Sequence, residues 1–163
     1  MALSLFLKHA SERELGYLAA QTDALLQTRS RRQPRADVLD LAESWHVLHG
    51  LFTGSAWDGS RPANTLLTGG HEVGLDLGCG RPRLATALET RAFAQYIAPL
   101  CPYRLKSTVD RKRVARTRFY MAEDGLCPDL SELHERVIRD LPALKTYVAR
   151  AAQHGHGLLL WMR

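Results

Sequence analysis

The sequence has few of the residues that mark several functional classes. Its three cysteines, Cys79, Cys101 and Cys127, are widely spaced and form no CxxC pair. That pattern indicates reduced thiols rather than disulfides, a zinc ribbon or a redox pair. No run approaches the roughly 18 apolar residues that a membrane helix needs, so we expect no membrane association. The apolar run Leu3–Leu7 has no preceding basic residue and is too short for a signal peptide, which favours a cytoplasmic protein.

Repeats and low-complexity tracts are also absent, so neither a solenoid nor a disordered array is indicated. With 45% hydrophobic and 24% charged residues, the composition is that of an ordinary globular protein. A length of 163 residues is enough to bury one core. We therefore expect a single domain over residues 1–163.

Acidic residues are outnumbered, and the net charge is +5. Residues 104–118 contain seven Lys or Arg and only Asp110 opposing them. Such a cluster is either a solvated face balanced by the acids that follow it or a surface that attracts an acidic protein or nucleic acid. No aromatic residues alternate with the bases before Phe119–Tyr120, which argues against nucleic acid. We therefore take Arg111 and Arg116 as candidates for contacting an acidic protein surface.

Capping patterns predict three helix starts. Ser11 with Glu14, and Asp40 with Glu43, have the spacing of a capping box, and Thr86 precedes a third apolar stripe. Gly54 should end the second helix, because glycine adopts the left-handed conformation without strain. The third helix should bury the following side chains: Leu88, Ala92, Phe93, Tyr96, Ile97 and Leu100. Pro99 and Pro102 should then end it.

The remaining pattern adds short strands and further helices. We predict strands at residues 2–7, 73–77 and 157–161, an extended segment at residues 81–84, and helices at residues 108–120, 130–141 and 144–152. Pro142 should break or kink the chain between the last two helices, since an interior proline costs ~3 kcal/mol. The first and last strands should pair. The expected fold is α+β, mostly helical, with a small sheet that includes the N- and C-terminal strands.

Residues 41–84 hold eight of the twelve glycines, two of the three tryptophans and three of the seven histidines. Within this stretch, residues 75–80 read Leu-Asp-Leu-Gly-Cys-Gly, like the glycine loop of S-adenosylmethionine-dependent methyltransferases. Arg81-Pro82 follows where a helix should open, and no acid ends a strand roughly 20 residues later. We therefore expect neither this activity nor this cofactor.

Another resemblance covers most of the chain. Trp45-His46-Val47-Leu48-His49 followed by Thr53-Gly54, Gly69-Gly70 and Gly78-Cys79-Gly80-Arg81-Pro82 resembles the YfbM-like family of small bacterial proteins. Residues 144–161 are similar to the closing helix and strand of that family. Cys79 stands where the family pattern leads us to expect an aromatic residue, and the middle of the chain is more basic. The resemblance implies an α+β fold, a bacterial cytoplasmic protein and no known reaction. Some such small domains are encoded beside toxin genes, so the resemblance also allows an immunity role.

His46 and His49, three residues apart on a helix, could share a ligand. A metal site would need a third donor such as His71, Asp76 or Cys79. We favour the simpler interpretation that His49 is a buried histidine that bonds to loop backbone, and we predict no metal site.

Two positively charged side chains and one thiol complete the candidate chemistry. Cys79 could be a nucleophile, although a small residue filling a tight loop is the favoured interpretation. Arg81 and Arg83 alternate sides in an extended segment, so one should face the Trp45 helix. There it could bind a carboxylate or phosphate, or pair with Glu43 or Asp76.

Two functional classes remain. The first is a binding protein, for example an immunity-type partner of a toxin. The alternative is a small enzyme or ligand-binding protein whose pocket is formed by His46, His49, Thr53 and Arg81. In that pocket the carboxyl end of the helix should raise the pKa of His49 and favour a proton-carrying role.

Overall fold

A computed structural model describes residues 3–21, 38–76, 78–117 and 129–163 of the chain. The helices among them are α1 (Glu12–Ala20), α2 (Ser44–Thr53), α3 (Thr65–Thr68), α4 (Ala87–Ile97), α5 (Pro102–Ser107), α6 (Arg111–Thr117) and α7 (Leu130–Gln153). The strands are β1 (Leu5–Ala10), β2 (Val38–Asp40), β3 (His71–Glu72), β4 (Arg83–Ala85) and β5 (Gly157–Met162).

These five strands form one antiparallel sheet in the order β2-β1-β5-β4-β3. β1 and β5 pair from Leu5 opposite Met162 to Ala10 opposite Gly157. The predicted α+β fold with paired terminal strands is confirmed. The first strand begins and ends three residues later than predicted.

Helices cover both faces of the sheet. Alternate side chains of a strand point to opposite faces, and both faces of β5 are buried, which explains its uninterrupted apolar sequence. One core lies between the sheet and α2, α4 and α7, and includes Leu5, Leu7, Trp45, Phe52, Phe93, Leu144, Leu158 and Leu160. A second core packs α1 on the other face, through Leu15, Leu18, Leu84, Leu159 and Trp161.

Two of the predicted helix starts are confirmed in atomic detail. The Ser11 hydroxyl accepts from the Glu14 N–H, while the Glu14 carboxylate accepts from the Ser11 N–H at 2.9 Å. Thr86 and Glu89 make the same reciprocal pair at the start of α4. The helix predicted to start at Ser11 was expected to continue its apolar stripe to residues 22–26, which lie outside the described residues.

The predicted cap at Asp40 is wrong. Asp40 ends β2, and its carboxylate accepts from the Ala42 N–H at 2.7 Å, so it is not available to a helix. Helix α2 begins after Glu43, which makes no side-chain cap bond. Its end is as predicted, since Gly54 has φ 77° and donates its N–H to the Gly50 carbonyl.

The prediction for residues 73–77 is wrong as far as the structure describes them. Residues 73–76 form no strand, and pairing occurs earlier, at His71–Glu72 opposite β4. The Val73 N–H donates to the Pro82 carbonyl at 2.8 Å and thereby closes the intervening loop. Of the extended segment predicted at residues 81–84, β4 confirms Arg83 and Leu84.

Three helix predictions need correction. Leu88 was placed on the buried face of α4 but is 73% exposed. α4 ends at Ile97, and Pro102 begins α5 instead of ending the preceding helix. Only Arg111–Thr117 of the helix predicted at residues 108–120 is helical among the described residues, and residues 118–120 lie outside them.

Pro142 does not break the last helix. It lies inside α7, which runs without interruption over 24 residues. The ring lies on the exposed side of α7. Leu141 and Leu144 on either side are completely buried against the sheet. This packing on both sides of the proline outweighs the backbone bond that the proline lacks.

None of the helices in the described part of the chain is long and apolar enough to span a bilayer.

Candidate functional site

The candidate site from the sequence centres on α2, which is buried from Ser44 to Phe52. The loop after α2 covers it on one side, and α7 packs on another. His46 is 1% exposed and donates through Nε2 to the Ala56 carbonyl of that loop at 2.8 Å. Its ring contacts those of Trp45 and Trp57, with centroids 4.8 and 4.7 Å away. His46 therefore holds the loop against the helix.

His49 lies one turn later and is completely buried. Neither ring nitrogen makes a hydrogen bond of good geometry with a described residue, although the Asp58 backbone lies near enough to act against the fall in the pKa of His49. Burial, followed by the neighbouring His46, lowers the pKa of His49 from 6.5 to about 4. The expectation that the helix carboxyl end would raise this pKa is wrong, since desolvation outweighs the partial charge of the helix end. His49 is neutral at pH 7.

Thr53 closes the carboxyl end of α2. Its hydroxyl lies 2.9 Å from the His49 carbonyl and accepts from the Ser55 N–H at 3.1 Å. A Cβ on Gly59 would lie 2.4 Å from the Thr53 methyl group, so the loop approaches this closely only with glycine there. The Thr53 hydroxyl is thus engaged within the chain's own backbone.

Of the two arginines that flank Pro82, Arg83 is the one that faces inward. It is 8% exposed and donates to the Leu66 carbonyl at 2.8 Å and to the Gly69 carbonyl at 3.4 Å. Arg81 is exposed. Burial lowers the pKa of Arg83 to about 10, which leaves it charged at pH 7.

The acids proposed as partners of these arginines are used elsewhere. Glu43 pairs with Arg136 at 3.1 Å. Asp76 accepts from the N–H groups of Gly78 and Gly80 at 2.7 and 3.0 Å. The predicted pairing of Arg81 or Arg83 with Glu43 or Asp76 is therefore wrong.

The same bonds define the glycine loop around Cys79. The amides that would face a cofactor phosphate are occupied by the Asp76 carboxylate. Residues 73–76, directly before the loop, form no strand, and the element after the loop is β4 rather than a helix. This is not the strand–loop–helix arrangement of a nucleotide cofactor site. The absence of S-adenosylmethionine binding itself stays a prediction, which calorimetric titration can check.

His46, His49 and Thr53 are thus grouped beneath one loop, whereas Arg81 lies on the surface. None of the four lines the cavities described below beside α4 and between α2 and α7. Their role as ligand-binding residues stays a prediction. The sequence analysis missed Trp57, whose ring covers His46 while 44% of the residue is exposed. A tryptophan in a glycine-containing loop was the available signal in the sequence.

A polar cleft of about 450 Å³ lies between the start of α2 and α7. Within it Arg136 bridges Glu43 and Glu132, at 3.1 and 2.7 Å. Nearby, Asp140 accepts from the Ser44 hydroxyl and from the guanidinium of Arg139. Glu43, Glu132 and Asp140 thus each have a positively charged or hydroxyl partner, and these contacts join the two helices.

The charge on α5 and α6 is different. We call the described side chains Arg104, Lys106, Arg111 and Lys112 the basic surface. Arg104, Arg111 and Lys112 are exposed, Lys106 is half-buried, and none of the four forms an ion pair with a described residue. Tyr103, also missed by the sequence analysis, is 70% exposed beside them. The backbone of Arg116 belongs to α6, but its side chain lies outside the described part of the chain.

Several contacts fix the basic surface to the fold. Val109 and Val114 are buried against Val47, Leu51, Leu133 and Val137 of α2 and α7. His134 donates through Nε2 to the Val109 carbonyl at 2.9 Å. Arg113, unlike its neighbours, turns inward and donates to the Leu51 carbonyl at 3.2 Å. The positive charges are thus presented by anchored helices.

A family model described as a domain of unknown function, DUF1877, matches residues 1–161. The crystal structure of YfbM from Escherichia coli, a protein of unknown function, is similar to this chain with a TM-score of 0.72 at 19% sequence identity. The match covers 98% of this chain and 99% of that chain. At this identity the likeness shows the fold alone. No curated protein matches the sequence.

Proposed function

This chain belongs to the DUF1877 family, a domain of unknown function, and from that premise we propose that it is a binding protein whose basic surface contacts an acidic protein. The observation that carries the proposal is the contrast between two parts of the surface. Arg136 and Arg139 of α7 are matched by carboxylates, whereas Arg104, Arg111 and Lys112 have none among the described residues. Unmatched, anchored charge steers an oppositely charged partner and selects against others.

A protein partner fits better than a nucleic acid. Tyr103 is the only exposed aromatic residue described on α5 and α6, and non-specific binding to single strands uses several stacked rings along a basic groove. An immunity protein that covers an acidic toxin surface is one role of this kind, supported only by the resemblance, and gene neighbourhood is its simplest test.

A pull-down from a nuclease-treated lysate of the native host tests the proposal. The bait carries Arg104→Glu, Arg111→Glu and Lys112→Glu, and the wild-type chain is used in parallel. The control is Arg13→Glu with Arg91→Glu, because both arginines are exposed on other helices. We expect a protein retained by the wild type and by the control to be lost with the triple variant.

The identified protein should then be purified and titrated against each bait. Its affinity should fall with ionic strength, since exposed charges more than about 10 Å apart are screened at 0.1 M salt. Equal binding by the wild type and the triple variant would contradict the proposal. So would a nucleic acid that binds the purified chain more tightly than any protein does.

Small-molecule binding or catalysis around His46 and His49 is the second candidate function. The observation in its favour is that both ring nitrogens of His49 lack described partners despite complete burial, and unsatisfied buried polar groups are rare outside functional sites. A ligand would have to displace the loop that carries Trp57. Quenching of Trp57 fluorescence in a metabolite screen, abolished by His49→Leu, would support this candidate.

A further inference from the structure

A cavity of about 300 Å³ lies between α4 and the segment that follows α2. Pro62, Leu88 and Ala92 supply apolar walls, and Gly69 contributes backbone. Arg61 and Glu89 are the charged residues in its lining. A concave site of this size with mostly apolar walls and a few polar groups is typical of small-molecule binding.

The charged groups of the cavity are held in fixed positions. One oxygen of Glu89 caps α4 by accepting from the Thr86 N–H at 2.8 Å. The other oxygen pairs with the Arg61 guanidinium. Arg61 also lies 3.4 Å from the Gly70 carbonyl and retains further N–H groups, because a guanidinium has five. The side chain of Arg61 is 61% exposed, so those groups are accessible from solvent.

A second positive charge lies behind the cavity wall. Arg83 donates to the carbonyl of Gly69, which lines the cavity. Its bonds to described residues are to carbonyl groups, and no described carboxylate forms an ion pair with it. Glu72, which lies opposite Arg83 in the β3–β4 pair, offsets part of the charge of Arg83. The N–H groups of Arg61 that neither Glu89 nor Gly70 uses are therefore the donors available to an anion at the rim.

The apolar wall indicates the rest of the ligand. Leu88 is 73% exposed although it belongs to the helix that carries the buried Phe93. Contact between this leucine and an apolar group of a ligand would contribute favourable free energy, roughly 25 cal/mol per Å² of apolar area removed from water. The cavity thus combines an apolar wall with accessible guanidinium N–H donors at one rim.

We propose that this cavity binds a small carboxylate with an apolar body, of the class of branched or aromatic monocarboxylic acids. The carboxylate accepts from the free N–H groups of Arg61, which Glu89 keeps in place. The apolar body covers Leu88 and Ala92. This site is separate from the basic surface, so it would add a ligand to the binding protein proposed above.

The probes are phenylacetate and isovalerate, titrated into the ¹⁵N-labelled full chain by NMR. Phenylacetamide and isovaleramide are the neutral counterparts, and acetate lacks the apolar body. We expect saturable shifts at residues 61–70 and 88–92 with the two acids. The amides should bind at least about tenfold more weakly, because they lose a charge-assisted hydrogen bond. Acetate should not saturate in the same range.

Three variants locate the site. Arg61→Gln should weaken the binding of phenylacetate by about tenfold or more. Leu88→Gln should weaken the binding of phenylacetate more than that of acetate. Arg91→Gln is the matched control. Arg91 is an exposed arginine of α4, the helix of Leu88, but does not line the cavity, so this variant should bind phenylacetate like the wild type. Unchanged amide spectra outside residues 59–92 would show that each variant is folded. Equal binding of acid and amide, no saturation by either acid, or unaltered binding by Arg61→Gln would overturn the proposal.

Discussion

At the scale of single residues, neighbouring histidines on one helix have different environments. The ring of His46 bonds to a loop carbonyl, stacks on Trp45 and contacts Trp57, whereas the ring of His49 makes no well-aligned hydrogen bond to a described residue. Helical spacing places both rings near the same loop, but one turn of helix changes which backbone groups they reach. His49 is therefore a neutral imidazole in a buried site that disfavours its charged form.

His49 should make the protein sensitive to acid. Its pKa is about 4 when folded and 6.5 as a reference, so the unfolded chain binds the proton more readily. The contribution of neutral His49 to the free energy of unfolding should be fully present above about pH 6.5. It should fall by up to about 3 kcal/mol as the pH drops to about 4. His49→Leu should remove this part of the pH dependence.

Urea unfolding of both proteins at several pH values measures this difference. At neutral pH the substitution should be close to neutral, because it removes two unpaired nitrogens and preserves volume. Parallel pH dependences for wild type and variant would mean that His49 is hydrogen-bonded and solvated in solution.

Phe52 tests the packing of α2 on its neighbours. The residue is 8% exposed, and its ring meets Phe93 and Tyr96 edge-on at centroid distances of 6.2 Å. Phe52→Ala should cost ~3–5 kcal/mol through lost transfer energy and the cavity left behind. Leu88→Ala, at an exposed position, should cost less than about 0.5 kcal/mol in the same denaturant melts. A loss below about 1 kcal/mol at Phe52 would show that the site collapses around the alanine.

At the scale of elements, α7 is a long helix with a proline in its interior. Residue 142 has no N–H to donate to the Ile138 carbonyl, so this helix lacks one backbone bond. The apolar stripe on both sides of the proline, with Val137, Leu141, Leu144 and Val148 buried, keeps the two halves on one axis. Burial along the whole stripe thus keeps the helix continuous across Pro142.

Pro142→Ala should stabilise the protein by about 1–2 kcal/mol. The alanine restores the missing bond, and part of that gain is offset by the greater entropy of the unfolded chain. Ala143→Gly, on the same exposed side, should instead cost about 0.5–1 kcal/mol. Thermal and urea unfolding measure both. A less stable Pro142→Ala variant would indicate that the proline shapes the helix to fit the sheet.

The elements also differ in how far sequence predicts them. Ser11 with Glu14, and Thr86 with Glu89, form local contacts, so their spacing was sufficient. Asp40 has the same spacing, but its carboxylate bonds to Ala42 because β2 pairs with β1, and no local pattern contains that pairing. The exposure of Leu88 likewise depends on which element packs beside α4.

The candidate site was predictable to a similar degree. Alternation at residues 81–83 predicted that one arginine faces inward, but β4 pairing decided that it is Arg83. The burial of His49 could be inferred from its apolar neighbours. The absence of a described partner for its ring could not, because that depends on where the backbone of residues 55–59 lies.

At the scale of the whole molecule, β5 connects the two halves of the sheet. It lies between β1 and β4, and its residues Leu158 to Leu160 are completely buried between the two cores. β3, by contrast, is an exposed two-residue edge strand. The stability of the sheet should therefore decrease from its centre to this edge.

Native-state hydrogen exchange should show this gradient. Amides of β5 that bond to β1 and β4 should exchange only through global unfolding, and those of β3 through local opening. The same experiment on α7 supplies an internal reference. Opening free energies in β5 well below those in α7 would show that the sheet opens while the helices stay packed.

The position of β5 also has a consequence during protein synthesis. The ribosome makes β1, β2, β3 and β4 before it makes residues 157–162, yet β1 and β4 have no contact as neighbouring strands until β5 lies between them. The nascent chain can thus form the β1–β2 and β3–β4 pairs as separate units. It cannot join them until β5 has left the exit tunnel. Chains cut before residue 157 would leave the β5-facing edges of β1 and β4 unpaired, which would make them targets for quality-control proteases and chaperones.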